Sequence, residues 1–175
     1  WSQRRHQNPN GPLPQRTVDT SGSYHLYVMH ENGSRPVQLT HGPSDDQSPV
    51  WSPDGERIAF VRSTNRSSHL YLMRADGSNP SQVTKGSESD EDPQWSPDGR
   101  RILFCRSTSV IRGAICFVDM RDRHIRTVLP CDEQTMLKRT DWSPTGRWIT
   151  VTTEQGNHGH QFTVFLFDVE TGRRQ

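Results

Sequence analysis

Two stretches of this 175-residue chain carry residue types that can do chemistry. The first is Gln155-Gly-Asn-His158-Gly-His160. Two imidazoles one residue apart, with an amide oxygen nearby, can reach a single metal ion. Gln155, His158 and His160 would then be its ligands. The same stretch also reads as a polar, glycine-rich hairpin loop that contains histidines. The second stretch is acidic. Asp45 and Asp46 stand in one segment, and Glu88, Asp90, Glu91 and Asp92 in another. Carboxylates gathered around one opening focus negative potential and can hold a cation or a basic segment of a partner protein. The plainer reading is a pair of solvated loops. Other chemistry is missing from the sequence. It has no Gly-x-Ser-x-Gly elbow, Cys-x-x-Cys pair, phosphate loop or dinucleotide fingerprint.

The elements that must position these residues are written as a repeat. Trp51-Ser-Pro-Asp-Gly55 recurs as Trp95-Ser-Pro-Asp-Gly99 and as Trp142-Ser-Pro-Thr-Gly146, at intervals of 44 and 47 residues. His25-Leu-Tyr-Val-Met29 returns as His69-Leu-Tyr-Leu-Met73, and Gln38-Leu-Thr40 as Gln82-Val-Thr84. A period in the mid-forties with several short strands per unit is the signature of a β-propeller blade. Within one unit, Pro49–Ser52 reads as the innermost strand. Pro53-Asp-Gly55 follows as a tight turn, in which proline presets φ and glycine takes a positive one. Arg57–Ser63 alternates polar and apolar residues, Leu70–Met73 is a third strand, and Asp76-Gly77 is a hairpin dipeptide before Ser81–Thr84. The next unit predicts strands over Asp92–Ser96, Arg101–Ser107, Ala114–Asp119 and His124–Leu129. No stretch sustains a helical apolar stripe, and a β-sandwich does not repeat sequence at this period.

The fold class is therefore all-β, a propeller of four-stranded antiparallel blades. The chain holds two whole blades and two partial ones, or about three to four blades of a six- to eight-bladed ring. Tyr24–Met29 and Arg35–Thr40 read as the last two strands of a blade whose first half is missing. Lys138–Ser143, Arg147–Thr153 and Thr163–Asp168 read as three strands of a last blade, with the metal-capable loop between its second and third. An open arc would leave apolar side chains wet on its end faces, each forgoing about 1.5–3 kcal/mol. Self-association, or a missing remainder of the propeller, is the expected remedy.

Residues 1–22 differ from the rest. Gln, Arg, Asn and Pro dominate, the alternation is lost, and the stretch reads as a flexible lead-in or linker before a propeller domain over 23–175. Arg4, Arg5 and Arg16 lack interleaved aromatics, and the net charge is +1, which argues against a nucleic-acid surface. No apolar run approaches the ~20 residues of a membrane span. The chain starts on Trp1 and shows no signal-peptide core, so it reads as trimmed, processed or taken from a longer reading frame. The three cysteines, Cys105, Cys116 and Cys131, define no disulfide framework. Cys105 and Cys116 fall on neighbouring predicted strands and read as small buried side chains, although a bridge between them is conceivable. Trp51, Trp95 and Trp142 read as packing between blades, and His25 and His69 as one repeated structural position.

Trp-Ser-Pro-Asp-Gly, Ile-Ala-Phe, Leu-Tyr-x-Met, Asp-Gly-Ser and x-Leu-Thr together resemble the WD40-like repeat of TolB-type propellers, over Tyr24 to Gly172. Thr145 departs from the signature, and the third blade lacks the Asp-Gly-Ser turn. The resemblance implies a periplasmic or extracellular, non-catalytic module that binds a protein partner, with no cofactor. Asp45, Asp46, Glu88, Asp90, Glu91 and Asp92 are then the candidate contacts. Two alternatives stay open. The spacing of Gln155, His158 and His160 is similar to part of the manganese site of oligogalacturonate lyases, which needs a further histidine; His69 is a candidate and His124 a poor one. Related repeats also form the gating propeller of prolyl-oligopeptidase and dipeptidyl-peptidase IV relatives, whose catalytic serine lies in a separate domain.

Overall fold

Turn chemistry at the repeated signature explains why the chain folds back where it does. Ser52 Oγ accepts the Arg57 amide at 2.9 Å, and Asp54 Oδ1 accepts the Glu56 amide at 3.0 Å. Gly55 takes a φ of 72°, which a side chain would resist. Forty-four residues on, Ser96 and Asp98 do the same for the Arg101 and Arg100 amides. In the third copy Ser143 Oγ accepts the Trp148 amide at 3.0 Å, but Thr145 offers only a hydroxyl contact to Ser143.

The structure, a computed structural model, describes residues 13–18, 22–64, 67–107, 113–130, 135–155 and 161–175, with backbone alone at 13–18, 135–139, 155 and 161. It contains four antiparallel sheets and, among the described residues, no helix; none therefore is long and apolar enough to cross a membrane. Blade one is β1 (Leu13–Val18), β2 (Tyr24–Met29) and β3 (Val37–Gln38). Blade two is β4 (Asp45–Trp51), β5 (Arg57–Ser63), β6 (Ser68–Arg74) and β7 (Ser81–Gln82). Blade three is β8 (Ser89–Trp95), β9 (Arg101–Ser107), β10 (Ala114–Asp119) and β11 (Ile125–Pro130). Blade four is β12 (Thr135–Trp142), β13 (Trp148–Gln155) and β14 (Gln161–Asp168). Neighbours in sequence are neighbours in each sheet.

This is the partial propeller expected from the repeat, with two corrections. The segment read as a lead-in contributes β1, which pairs with β2 along six positions from Leu13↔Met29 to Val18↔Tyr24. The first blade thus lacks only an innermost strand among the described residues. At the other end, Leu166 and Gln175 exchange backbone hydrogen bonds of 3.0 and 2.9 Å, and Phe167 bridges Arg174, so the fourth strand of blade four has begun.

Strand alternation sends successive side chains to opposite faces, and each face meets a different neighbouring blade. On β5, Ile58 and Phe60 pack with Leu26 and Leu39 of blade one, while Ala59 and Val61 pack with Trp95, Ile102 and Phe104 of blade three. On β9, Leu103 turns the other way, to Trp142, Ile149 and Val151 of blade four. The core is therefore three layers between blades, and the signature tryptophans belong to them. At Gly77 (φ 83°) a Cβ would stand 3.0 Å from the Leu39 carbonyl oxygen, so glycine lets the hairpin of blade two close on blade one.

Candidate functional site

Strands β4 and β8 start at the same end of their sheets, and both carry a bulge. The register slips between Gln47 and Val50 and again between Glu91 and Gln94. Ser48 and Asp92 occupy the bulges with φ of 51° and 53°, a conformation that non-glycine residues seldom hold. These are the innermost strands, so the bulges line the inner edge of the arc. Glu91 and Asp92 are exposed there, and Glu88 is half-buried. Glycine at position 86 leaves room for the Glu88 carboxylate, which a Cβ would overlap.

The other three candidates are used differently. Asp46 and Asp90 are fully buried. Asp46 receives Arg62 Nε at 2.7 Å and Nη2 at 2.8 Å; Asp90 receives Arg106 at 2.7 and 3.0 Å. Each fork is flat and bidentate, the strongest common geometry for an ion pair. The carboxylates push the Arg62 and Arg106 guanidiniums above their ordinary pKa. The same guanidiniums cap aromatic rings, Arg62 over Tyr71 at 4.8 Å and Arg106 over Phe104 at 5.4 Å. Asp45 is half-buried, and its Oδ1 accepts the Tyr24 amide of blade one at 2.9 Å. Of the six acidic residues, Asp46 and Asp90 therefore tie two strands within one blade, and Asp45 joins blade two to blade one. Sequence spacing carried the signal: both pairs are sixteen residues apart and one period separates them.

Gln155 ends β13, its backbone opposite Gln161; His158 and His160 lie outside the described residues. His69 lies at the junction of two blades. Its Nδ1 stands 3.9 Å from Asp90 Oδ2 and its Nε2 3.0 Å from Ser67 Oγ, at the junction of blades two and three. His25 is buried at the equivalent position, and His124 lies in the hairpin before β11 at the opposite end of the sheet. Among the described residues no group of three or more His, Cys, Asp or Glu side chains could hold a metal ion. Cys105 pairs with Ile115 and Cys116 with Phe104, so the two side chains leave opposite faces of the sheet and do not bridge each other. Burial pushes the Cys116 thiol up. Cys131 lies outside the described residues.

A family model described as TolB beta propeller domain matches residues 7–175. The chain belongs to the TolB β-propeller family. TolB from Acinetobacter baumannii superimposes with a TM-score of 0.73 at 20% identity, covering 94% of this chain and 41% of that one. A putative TolB from Agrobacterium tumefaciens gives 0.74 at 22%, covering 93% and 59%. An oligogalacturonate lyase in complex with manganese gives 0.65 at 15%, covering 87% and 41%. The chain thus spans about two-fifths to three-fifths of the solved structures it resembles. A comparison with curated proteins finds no match. At these identities the solved structures speak for the TolB-like fold.

Proposed function

We propose that this TolB-like arc is a non-catalytic module that binds a basic segment of a protein partner at the mouth formed by Glu88, Glu91 and Asp92. The observation that carries the reading is the bulge on β8. It holds Asp92 in a sparsely populated backbone conformation on the innermost strand, beside an exposed Glu91. Backbone strain of this kind costs about 1–3 kcal/mol and clusters at functional sites. Asp46 and Asp90 are each paired with an arginine, whereas Glu91 and Asp92 are exposed to solvent, so their negative field can meet a cationic group. The resemblance to TolB-type propellers supports a periplasmic or extracellular location.

The test is titration of a lysine- and arginine-rich peptide at low and high salt, with an acidic peptide as control. Replacing Glu88 and Glu91 by Gln and Asp92 by Asn together should weaken binding at least about tenfold and flatten its salt dependence. Unchanged affinity would exclude this mouth.

A further inference from the structure

Toward the start of β4 and β8, Arg62 and Arg106 are each held in a carboxylate fork by Asp46 and Asp90. At the other end of the same strands two arginines meet without one. Arg57 opens β5, and its guanidinium crosses from blade two to lie over the Trp95 ring of blade three, 5.1 Å from the centroid. A guanidinium on an aromatic face keeps its N–H fork available in its own plane. Arg123 stands in the hairpin between β10 and β11. That hairpin is tied to the signature turn after Trp95, where the Met120 amide donates to the Arg100 carbonyl at 2.8 Å. Partial burial pushes the Arg123 guanidinium below its ordinary pKa, and the positive charge of Arg57 adds to the effect. The two cations are therefore neighbours, an arrangement that is unfavourable until a negative group joins them.

The nearby carboxylates are used on the backbone. Asp119 Oδ1 accepts the Arg121 amide at 2.9 Å, and Asp122 Oδ1 accepts the His124 amide at 2.8 Å. Asp54 Oδ1 accepts the Glu56 amide, and its Oδ2 stands 4.0 Å from Arg57 Nη2 in an exposed, loose pair. Among the described residues Arg123 makes no ion pair. Trp95 Nε1, in the ring under Arg57, is buried and donates to no acceptor among the described residues. The backbone at Arg123 is an independent sign. Its φ is 60°, and its amide donates to the Asp119 carbonyl at 2.9 Å. In blade four the same bond runs from the Gly172 amide to the Asp168 carbonyl, with φ of 72° at Gly172. Glycine is the unstrained residue for this turn, and blade three carries an arginine there instead. A strained position that bears a charged side chain points to a site.

We propose that Arg57 and Arg123 form an oxyanion site at the junction of blades two and three, taking a phosphate or carboxylate group between their two forks. The bound group would neutralise both cations and join the second strand of one blade to the outer hairpin of the next. Neither arginine belongs to the acidic group of β8, so this site stands or falls apart from the proposed binding of a basic segment.

Calorimetric titration of the chain with inorganic phosphate, and separately with acetate, tests this at an ionic strength held constant with sodium chloride. The expected result is saturable binding and a rise in Tm with the anion that binds. Phosphate alone would assign a phosphate group, acetate alone a carboxylate, and both a site open to either. Arg123→Asn should weaken binding at least about tenfold. Asparagine tolerates this backbone, as Asn79 does at φ 55° in the hairpin of blade two, so the anion-free Tm should hold or rise as the like-charge repulsion goes. Arg57→Lys keeps the charge and gives up the fork, and should also weaken binding. Failure of both anions to bind saturably overturns the proposal. So does unchanged binding in Arg123→Asn, or a lower anion-free Tm in that variant, which would assign the arginine to the fold.

Discussion

Asp90 and Arg106 form a bidentate pair in which the carboxylate is fully enclosed, and Asp46 with Arg62 repeats it one blade earlier. Each pair ties the innermost strand of a blade to its second strand, where the layer between blades begins. In blade four the register position of Arg106 is held by Thr153, which is buried, so that junction does without the pair.

Removing one partner from such a pair leaves a charge without compensation. Arg106→Met should destabilise the chain by about 3–5 kcal/mol, because Asp90 stays enclosed. The double variant Asp90→Leu with Arg106→Met should lose much less than the sum of the two single changes. Urea unfolding followed by tryptophan fluorescence measures all three. An additive result would mean that the carboxylate regains water when the arginine is lost.

Much of this architecture could be read before any coordinates. The signature turns, the bounds of Arg101–Ser107 and Ala114–Asp119, and the role of the tryptophans follow from local rules, since turn chemistry and period-two alternation act over a few residues. The first strand was hidden because Leu13–Val18 contains Pro14 and no clean alternation; its partner β2 defines it. The candidate site was harder. Six carboxylates look alike in sequence, whereas their roles depend on which arginine lies across the strand. The sixteen-residue spacing of Asp46–Arg62 and Asp90–Arg106 was the available signal.

Thr145 is the one departure in the third signature turn, and it identifies a stabilising change. Asp54 and Asp98 each accept the backbone amide two residues on, at 3.0 Å, and the Thr145 hydroxyl contacts only Ser143 Oγ, at 3.1 Å. Thr145→Asp should supply that acceptor to the Arg147 amide. A hydrogen bond of this kind is worth about 0.5–1.5 kcal/mol, visible as a higher urea midpoint at unchanged slope. A lower midpoint would show that blade four needs the hydroxyl.

Acid should loosen these same turns. The Ser52 hydroxyl and the Glu56 amide hold the Asp54 carboxyl below the usual carboxylate range; at Asp98, burial opposes the shift but bonds from Ser96 and the Arg100 amide outweigh it. A carboxyl whose folded pKa is depressed contributes fully above its unfolded value, about pH 4, and that contribution is lost as pH falls through the folded value. Stability should therefore drop below about pH 4. Asp54→Asn together with Asp98→Asn should flatten that limb of the curve in thermal unfolding. An unchanged limb would show that these two turns do not carry the acid sensitivity.

Metal content separates the binding module from a metal-dependent enzyme. A further histidine would be needed beside Gln155, His158 and His160, and the repeated histidines stand elsewhere: His69 at Asp90 and Ser67, His25 enclosed in blade one. Two histidines and an amide by themselves hold manganese weakly. Protein dialysed against manganese and then against buffer should retain well below one ion per chain by elemental analysis, and His158→Ala should leave that value unchanged. One ion per chain, lost in His158→Ala, would replace the protein-binding reading with a metal site in blade four.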